Sequence, residues 1–360
     1  MSLYKKTNGE YLNDFELNNS FISLAKSILR NEIYNKYHVV YTSVLYYGNP
    51  WNPISRVFIE KYTDVDGVSY NSETATGFSS LTDFSQNITT PVNSMFCSAS
   101  YGKITTKKVN SGEVVSSILT LYEYSPMALF DDHSGGSIDS ARWTASSSGS
   151  GSTYQTGGYL YLVSGAAAGT SIATANGSSS SLDLNNEDID YYLYNYLVST
   201  NSSTTIYAVF CITDGTNEVI VGYNHYNSGS WGTGGTYTTV IELDHLNKRA
   251  RSIALNGGNQ TPGKWVDLSS LGSNWYPRFK AVTNAATGYD FRIYDEYYTT
   301  TNPQSTITIS ASADNGSTFT TVTNGYISSM SVAGSAISTK IEFTQSNDEG
   351  CLVLGNGFIV

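Results

Sequence analysis

The residues with the clearest chemical potential lie between positions 223 and 232, where aromatic rings alternate with amides and small residues. Trp231 lies among glycines and serines, where a large ring has little local reason to be. A pyranose has one apolar face, which stacks on an exposed aromatic ring while nearby amides and hydroxyls bond its rim. The stretch therefore predicts a carbohydrate-binding site with Trp231 as platform, beside Tyr223, Tyr226, Asn224 and Asn227. The alternative is a tryptophan that folds back as a lid on the core.

Motifs of the common enzyme classes are absent from the sequence. It contains no Gly-x-Ser-x-Gly elbow, no His-Glu-x-x-His, no Gly-x-x-x-x-Gly-Lys-Ser/Thr loop and no Cys-x-x-Cys pair. The histidines are scattered, at His38, His133, His225 and His245. A catalytic triad assembled in space from distant residues stays open as an alternative. On these grounds the sequence predicts a protein that is not an enzyme.

The composition favours a binding or structural protein. Charged residues make up only 14% of the 360 residues, and 29 tyrosines, with many Ser, Thr, Asn and Gly, fill the gap. Such a surface of neutral polar groups is typical of extracellular β proteins and virus particle proteins. The net charge of −11 repels phosphate backbones, so we expect no nucleic-acid partner.

The cysteines and the N-terminus indicate where the chain is made. Cys97, Cys211 and Cys351 are odd in number and lack metal-ligand spacing, and each lies in an apolar run, so we expect buried free thiols and a reducing cytosol. The N-terminus opens no apolar stretch, so we expect no signal peptide, and no run of 18 apolar residues predicts a membrane span. A virus particle made in the host cytoplasm and released by lysis fits both observations.

The spacing of apolar residues predicts the elements that position these groups. A helix is expected at 19–35, and alternating patterns between turn residues follow it. Hairpin partners are predicted in four pairs of segments: 96–108 with 113–124, 204–213 with 218–226, 236–244 with 249–255, and 276–283 with 289–297. Short strands separated by turns every 8–12 residues predict an all-β sandwich or barrel.

The middle of the chain resembles a concanavalin A-like lectin/glucanase jelly roll of the LamG-like kind. It opens with the acidic pair Asp131-Asp132, a turn at Gly135-Gly136 and Trp143, and it closes with a strand that ends in Asp295-Glu296. The resemblance covers residues 129–298. It implies a jelly-roll β-sandwich there, flanked by β-rich segments at 1–128 and 303–360 that can form one structural unit.

The resemblance also implies where hydrolase and metal chemistry would lie. Glycoside hydrolases of this superfamily carry Glu-x-Asp and then a second Glu on one strand face. Here Glu242-Leu243-Asp244 matches the first part, but Leu246 or Asn247 stands where the second Glu belongs, so hydrolase chemistry is disfavoured. Related folds place calcium where the first and last strands meet, which implies Asp131, Asp132, Asp139 and Asp295 as oxygen ligands for Ca²⁺. The alternative is an acidic turn exposed to water, and no other cofactor is expected.

Residues 310–322, with their turn at Asp314-Asn315-Gly316, resemble a β-hairpin segment common in bacteriophage tail and appendage proteins. This implies a phage virion structural protein, such as a tail fibre, tail tip or head appendage, whose lectin-like domain binds host-surface glycans. Its expected partners are itself, as a homo-oligomer and most simply a trimer, and other virion proteins. The alternatives are a freestanding bacterial carbohydrate-binding protein and a glycoside hydrolase.

Overall fold

The chain is all β wherever its structure is described. The computed structural model describes residues 43–46, 53–58, 74–76, 79–82, 93–106, 109–120, 122–164, 170–175, 182–199, 206–226, 237–255, 265–283, 289–345, 348–355 and 358–359. These residues contain strands and turns and no helix, so the predicted fold class is confirmed. The helix predicted at 19–35 lies outside them. Within the same residues, no helix has the length and apolar character needed to cross a lipid bilayer.

The strands are numbered here in chain order. The first group comprises β1 Ser43–Tyr46, β2 Pro53–Phe58, β3 Thr74–Thr76, β4 Ser79–Thr82, β5 Asn93–Cys97, β6 Tyr101–Thr105, β7 Val109–Thr120 and β8 Glu123–Asp131. The second comprises β9 Trp143–Ser148, β10 Ser152–Thr156, β11 Tyr159–Ser164, β12 Thr170–Ala175, β13 Tyr191–Ser199, β14 Ile206–Thr213, β15 Glu218–Tyr226, β16 Tyr237–Asp244, β17 Arg249–Leu255, β18 Val266–Asp267, β19 Tyr276–Thr283 and β20 Tyr289–Thr299. The third comprises β21 Thr306–Ser312, β22 Thr320–Thr321, β23 Ile327–Thr344, β24 Glu349–Gly355 and β25 Phe358–Ile359.

The chain folds into two compact units. The flanking unit combines Met1–Ser80, Asn87–Ser125 and Gln304–Val360, and the central unit combines Leu81–Gln86 with Pro126–Pro303.

The central unit is a sandwich of two antiparallel sheets. Sheet A has the order β18-β17-β16-β13-β20; β11 and β8 pair with β20 at different points, and β10 pairs with β11. Sheet B has the order β15-β14-β19-β12-β9. Buried side chains from the two sheets form a core rich in aromatic rings. Trp143 and Trp275 belong to this core and are each 1% exposed.

Two of the predicted hairpins of the central unit are confirmed. β14 pairs with β15 around Asp214-Gly215, and β16 pairs with β17 around residues 245–248. The prediction that 276–283 pairs with 289–297 is wrong: both strands exist, as β19 and β20, but they lie in opposite sheets. Phe279 and Phe291 meet across the core at 6.0 Å between ring centroids. Their alternating patterns match because both inward faces contact the same core, not because the strands are neighbours.

The flanking unit is organised around the long strand β23. Its first part pairs with β7, and residues 340–344 pair with β6. The predicted hairpin between 96–108 and 113–124 is therefore wrong, and β7 runs straight through Asn110-Ser111-Gly112. The two segments lie end to end along one partner strand of 18 residues, so no tight turn is needed between them. The cysteines Cys97, Cys211 and Cys351 are free and buried in this structure, as predicted.

Candidate functional site

The residues predicted to bind carbohydrate are only partly described. Tyr223, Asn224 and Tyr226 lie on β15, at the edge of sheet B. Asn227 and Trp231 lie outside the described residues. The 223–231 site therefore stays a prediction, while the described residues bring a different group of polar and aromatic side chains together on sheet A.

A β-bulge in β20 determines which side chains reach the outer face of sheet A. Asn195 of β13 faces Asp295, but the next residue, Tyr196, faces Ile293, so Tyr294 is the extra residue. A bulge breaks strict alternation and re-aims the side chains next to it. Tyr294 and Asp295 consequently both lie on the outer face, whereas Glu296 points into the core.

Four tyrosines lie together on this outer face. Tyr154 of β10 is directly opposite Tyr161 of β11, and their rings stack at 4.8 Å with an interplanar angle of 8°. Tyr159 packs edge-on against Tyr161 at 5.9 Å and against Tyr294 at 5.8 Å. Tyr154 is 42% exposed, so one flat ring at the end of the row is open to solvent.

An arginine and an aspartate extend the tyrosine row across β20. Arg292 is directly opposite Tyr161, and its guanidinium carbon lies 4.8 Å from the centre of that ring. Arg292 Nη2 donates to Asp290 Oδ2 at 2.8 Å, and both side chains are partly exposed. A cation over an aromatic face is attracted by the ring's quadrupole, which holds the ring in place. We call Tyr154, Tyr159, Tyr161, Tyr294, Asp290 and Arg292 the tyrosine face.

A chain of hydrogen-bonded polar side chains extends from beside the tyrosine face across sheet A. Asn195 donates its amide to Asp295 and accepts the hydroxyl of Thr238. Asn195 and Thr238 are buried, and Asp295 is partly exposed. Burial raises the pKa of Asp295 to about 6, although the hydrogen bond from Asn195 acts in the opposite direction. This carboxyl therefore changes charge close to neutral pH.

Glu296, one residue further along β20, anchors a buried polar cluster in the core. Its Oε1 lies 3.2 Å from Nε2 of His133, which is 0% exposed. His133 Nδ1 lies 3.4 Å from Gln155 Oε1 and 3.5 Å from Asp131 Oδ2. Asp131 also accepts the indole N–H of Trp143 at 2.8 Å. The cluster joins the first strand of the jelly roll, β8, to its last, β20.

The charges of the cluster depend on one another. Burial lowers the pKa of His133, but the negative charges of Glu296 and Asp131 outweigh this effect, and the net shift is upward. Burial raises the pKa of Glu296 to about 7, against the opposing effect of His133. His133 has a backbone φ of 49°, in the left-handed region, and its N–H donates to Asp131 Oδ1 at 3.0 Å. The buried contacts of its ring hold this uncommon conformation.

The carboxylates predicted to bind calcium already have other partners. Asp131 accepts from His133 and Trp143 and pairs with Arg142 at 3.3 Å, while Asp132 Oδ1 accepts the N–H of Ser134. Asp139 accepts the N–H of Ala141, and Asp295 accepts the amide of Asn195. The calcium site therefore stays a prediction. Among the described residues, no group of three or more His, Cys, Asp or Glu side chains is placed to hold a metal ion.

The Glu-x-Asp segment on β16 is held in ion pairs. Glu242 is buried and accepts from Arg251 at 2.6 Å, and Asp244 accepts from Arg249 at 2.7 Å. Both guanidinium groups lie over the ring of Trp265, at 4.5 and 4.3 Å from its centre. These contacts indicate that the two carboxylates stabilise β16 against β17.

Sequence reasoning missed the tyrosine face, although one local signal points to it. Gly157-Gly158 is a two-residue hairpin turn, with φ values of 59° and 81° that favour glycine. A two-residue turn pairs residues symmetrically around it, which places Tyr154 opposite Tyr161. The buried cluster has no comparable signal, because His133 and Glu296 are far apart in the sequence.

Comparison with known proteins finds likeness of fold and not of sequence. No family model matches the chain, and no curated protein matches it. Among solved structures, it is similar to SCLam, a non-specific endo-β-1,3(4)-glucanase of family GH16, with 10% identity, a TM-score of 0.36, and coverage of 53% of this chain and 98% of that chain. A laminarinase from Flavobacterium sp. UMI-01 gives 9% identity, a TM-score of 0.33 and coverage of 47% and 98%. The winged bean acidic lectin complexed with methyl-α-D-galactose gives 11% identity, a TM-score of 0.32 and coverage of 49% and 98%.

These comparisons correct one prediction. The prediction that the chain is not an enzyme is wrong in excluding enzyme activity, because the similar structures include GH16 glycoside hydrolases as well as lectins. At identities near 10% the likeness concerns the fold and assigns no activity. The similar structures include both GH16 glucanases and lectins, and the all-β fold class predicted for this chain is confirmed by its own strands and sheets.

Proposed function

We propose that the central unit binds carbohydrate through the tyrosine face. The observation that carries this proposal is the solvent-exposed ring of Tyr154, held flat against Tyr161 and followed across the sheet by Arg292 and Asp290. A pyranose can stack its apolar face on such a ring, while the guanidinium and carboxylate bond its hydroxyls. These groups lie on strands that are paired with one another, so we expect little ordering on binding.

Binding is tested on the full chain with a panel of immobilised neutral and acidic oligosaccharides, followed by calorimetry with the best ligand. Tyr154→Ala removes the exposed ring, and we expect the Kd to rise about 3- to 10-fold, the range for one aromatic stacking contact. Tyr326→Ala is the matched control, because this tyrosine is 49% exposed and lies in the flanking unit. Equal binding by both variants would contradict the proposal.

A separate variant tests the site predicted from sequence. Trp231→Ala weakens binding if the 223–231 loop supplies the platform, and it leaves the Kd unchanged if the tyrosine face binds alone. The two variants together therefore locate the site on sheet A, on the β15 loop or on both.

A second candidate function is hydrolysis of a glycosidic bond, favoured by the contrast between Asp132 and Asp295. Hydrogen bonds from Ser134 lower the pKa of Asp132, whereas burial raises that of Asp295, and the charge of Asp132 adds to this rise. Two nearby carboxyls with pKa values pushed apart are the arrangement in which one donates a proton and the other stays ionised. Release of reducing sugar, lost in Asp295→Asn and kept in Glu242→Gln, would support it. No release from any polysaccharide that the chain binds would count against it.

The biological setting that we propose is a phage virion, with the chain present as a homo-oligomer. Support comes from the composition and from the segment at 310–322. Mass spectrometry of purified particles tests the setting, since absence of the chain would remove it. Light scattering of the purified chain tests the oligomer.

A further inference from the structure

Two of the three cysteines lie directly opposite each other on neighbouring strands of the flanking unit. Cys97 ends β5, and Cys351 lies near the start of β24. The two residues are Cα partners in the antiparallel register, next to the pairs Leu352 with Phe96 and Val353 with Met95. Residues opposite each other in such a ladder have Cα atoms about 4.5 or 5.5 Å apart and side chains on the same face. Both distances fall within the range that a disulfide spans, about 4.4–6.8 Å.

The packing around the pair keeps this register. Both thiols are 0% exposed and belong to the same buried cluster of the flanking unit. A side chain at Gly350 would come within 2.6 Å of the Phe96 ring, so the two strands already touch beside the cysteines. A slip of one residue would move one thiol to the opposite face of the sheet.

We propose that Cys97 and Cys351 form a disulfide when the chain folds in the presence of a low-molecular-weight disulfide such as oxidised glutathione. One protein thiolate attacks the glutathione disulfide and releases one glutathione thiol, which leaves a mixed disulfide on the protein. The second protein thiolate then attacks the protein sulfur of this mixed disulfide, which forms the Cys97–Cys351 bond and releases the second glutathione as a thiol. The protein loses two electrons and two protons, and one glutathione disulfide becomes two thiols.

The bond would connect the two parts of the flanking unit that lie on either side of residues 126–303 in the sequence. A cross-link that closes so long a segment restricts the unfolded chain strongly. Burial raises the pKa of both thiols, which keeps them as unreactive thiols once the strands have packed. We therefore expect the bond to form during folding and to resist reduction afterwards.

The test refolds the full chain from denaturant with and without a mixture of reduced and oxidised glutathione, and then counts thiols under denaturing conditions. We expect three thiols without the oxidant and one with it, and a non-reducing peptide map that joins the peptides of Cys97 and Cys351. The melting temperature of the oxidised form should rise by about 5 °C or more. Three thiols after oxidative refolding, or a bond to Cys211, would overturn the proposal.

Serine variants separate the pair from a general effect of the oxidant. Cys211→Ser is the matched control, since Cys211 lies buried in the central unit, and it should keep both the cross-link and the rise in melting temperature. Cys97→Ser should retain two thiols under the oxidant and show no such rise. If this variant does not fold, Cys351→Ala takes its place, and the thiol count and peptide map of the unmodified chain still decide the outcome.

Discussion

Tyrosines occupy both faces of sheet A, and their surroundings differ completely. Tyr192, Tyr194 and Tyr196 of β13 are 0% exposed and pack on Phe210 and other rings between the sheets. Tyr154 on the outer face stacks on Tyr161 and remains 42% exposed. The inner rings remove apolar area from water, whereas the outer row keeps rings available to a ligand. A tyrosine-rich composition therefore reflects two separate uses of the same residue.

The largest expected effect is on the inner side. Tyr194 packs on Phe210 at 5.2 Å and on Phe279 at 5.0 Å, so Tyr194→Ala opens a cavity in the core. We expect the free energy of unfolding to fall by about 3–5 kcal/mol, as for other large aromatic residues truncated in a core. Denaturant unfolding measures it, with Tyr154→Ala as the outer-face counterpart, expected to change stability by less than about 1 kcal/mol. Similar losses in both variants would break the comparison.

The next effect contrasts the inner carboxyl of β20 with an outer one. The pKa of Glu296 in the folded state, about 7, lies above its ordinary value of 4.5, and that of His133 is also raised. Both groups therefore contribute stability at low pH that is lost as the pH rises through their folded pKa values. We expect the central unit to lose on the order of 1–3 kcal/mol between pH 5 and pH 8.

Glu296→Gln should flatten this loss, because a glutamine cannot ionise. Asp290→Asn, which alters a partly exposed carboxyl on the outer face of the same strand, is the control. Unfolding curves at pH 5, 6, 7 and 8 measure the slope for each variant. An unchanged slope in Glu296→Gln would show that the buried acid is not the source.

A smaller effect concerns the hairpin that holds the outer row. Gly158 has a φ of 81°, and a side chain there would meet nothing within 4 Å, so Gly158→Ala strains only the backbone. We expect a loss of about 1 kcal/mol in stability together with weaker carbohydrate binding, since β10 carries Tyr154. Calorimetry with the ligand found for the unmodified chain measures the second effect. Unaltered binding would show that the row does not need this turn.

The smallest effect sharpens the comparison at a single hydroxyl. The buried hydroxyl of Tyr192 meets no hydrogen-bond partner within the described part of the chain, and Glu296 lies near enough to raise its pKa further, beyond the effect of burial. Tyr192→Phe should therefore change the free energy of unfolding by less than about 1 kcal/mol, or should stabilise the chain. A loss of about 2 kcal/mol or more would indicate that this hydroxyl is hydrogen-bonded in solution.

Local sequence patterns predicted the positions of the strands in the central unit well. They predicted which strands pair only where a short turn joins the two strands. Asp214 accepts the backbone N–H groups of Thr216 and Asn217 within the turn, so the turn between β14 and β15 is fixed by neighbouring residues and is readable from sequence. The predicted pairing of β19 with β20 is wrong because an alternating pattern of apolar residues identifies the buried face of a strand. It does not indicate to which of the two sheets the strand belongs. The choice between hairpin and crossover depends on contacts such as Phe279 with Phe291, which are made across the core.

The candidate site was less predictable, for the same reason. The opposition of Tyr154 and Tyr161 follows from Gly157-Gly158, but the addition of Arg292 depends on β20 pairing with β11, which no nearby turn dictates. The environment of Glu296 depends on His133, which reaches it from the other end of the jelly roll. Contacts between side chains on strands that are distant in the sequence cannot be predicted from the local spacing of residues.

The extra residue in β20 has a consequence for how this surface can vary. Because Tyr294 is the additional residue, its deletion would restore regular alternation and leave Asp295 outside and Glu296 inside. The strand can thus gain or lose one aromatic contact by a single-codon insertion or deletion without turning either acid over. At this position the outer surface can therefore change in sequence while the buried side chains keep their places.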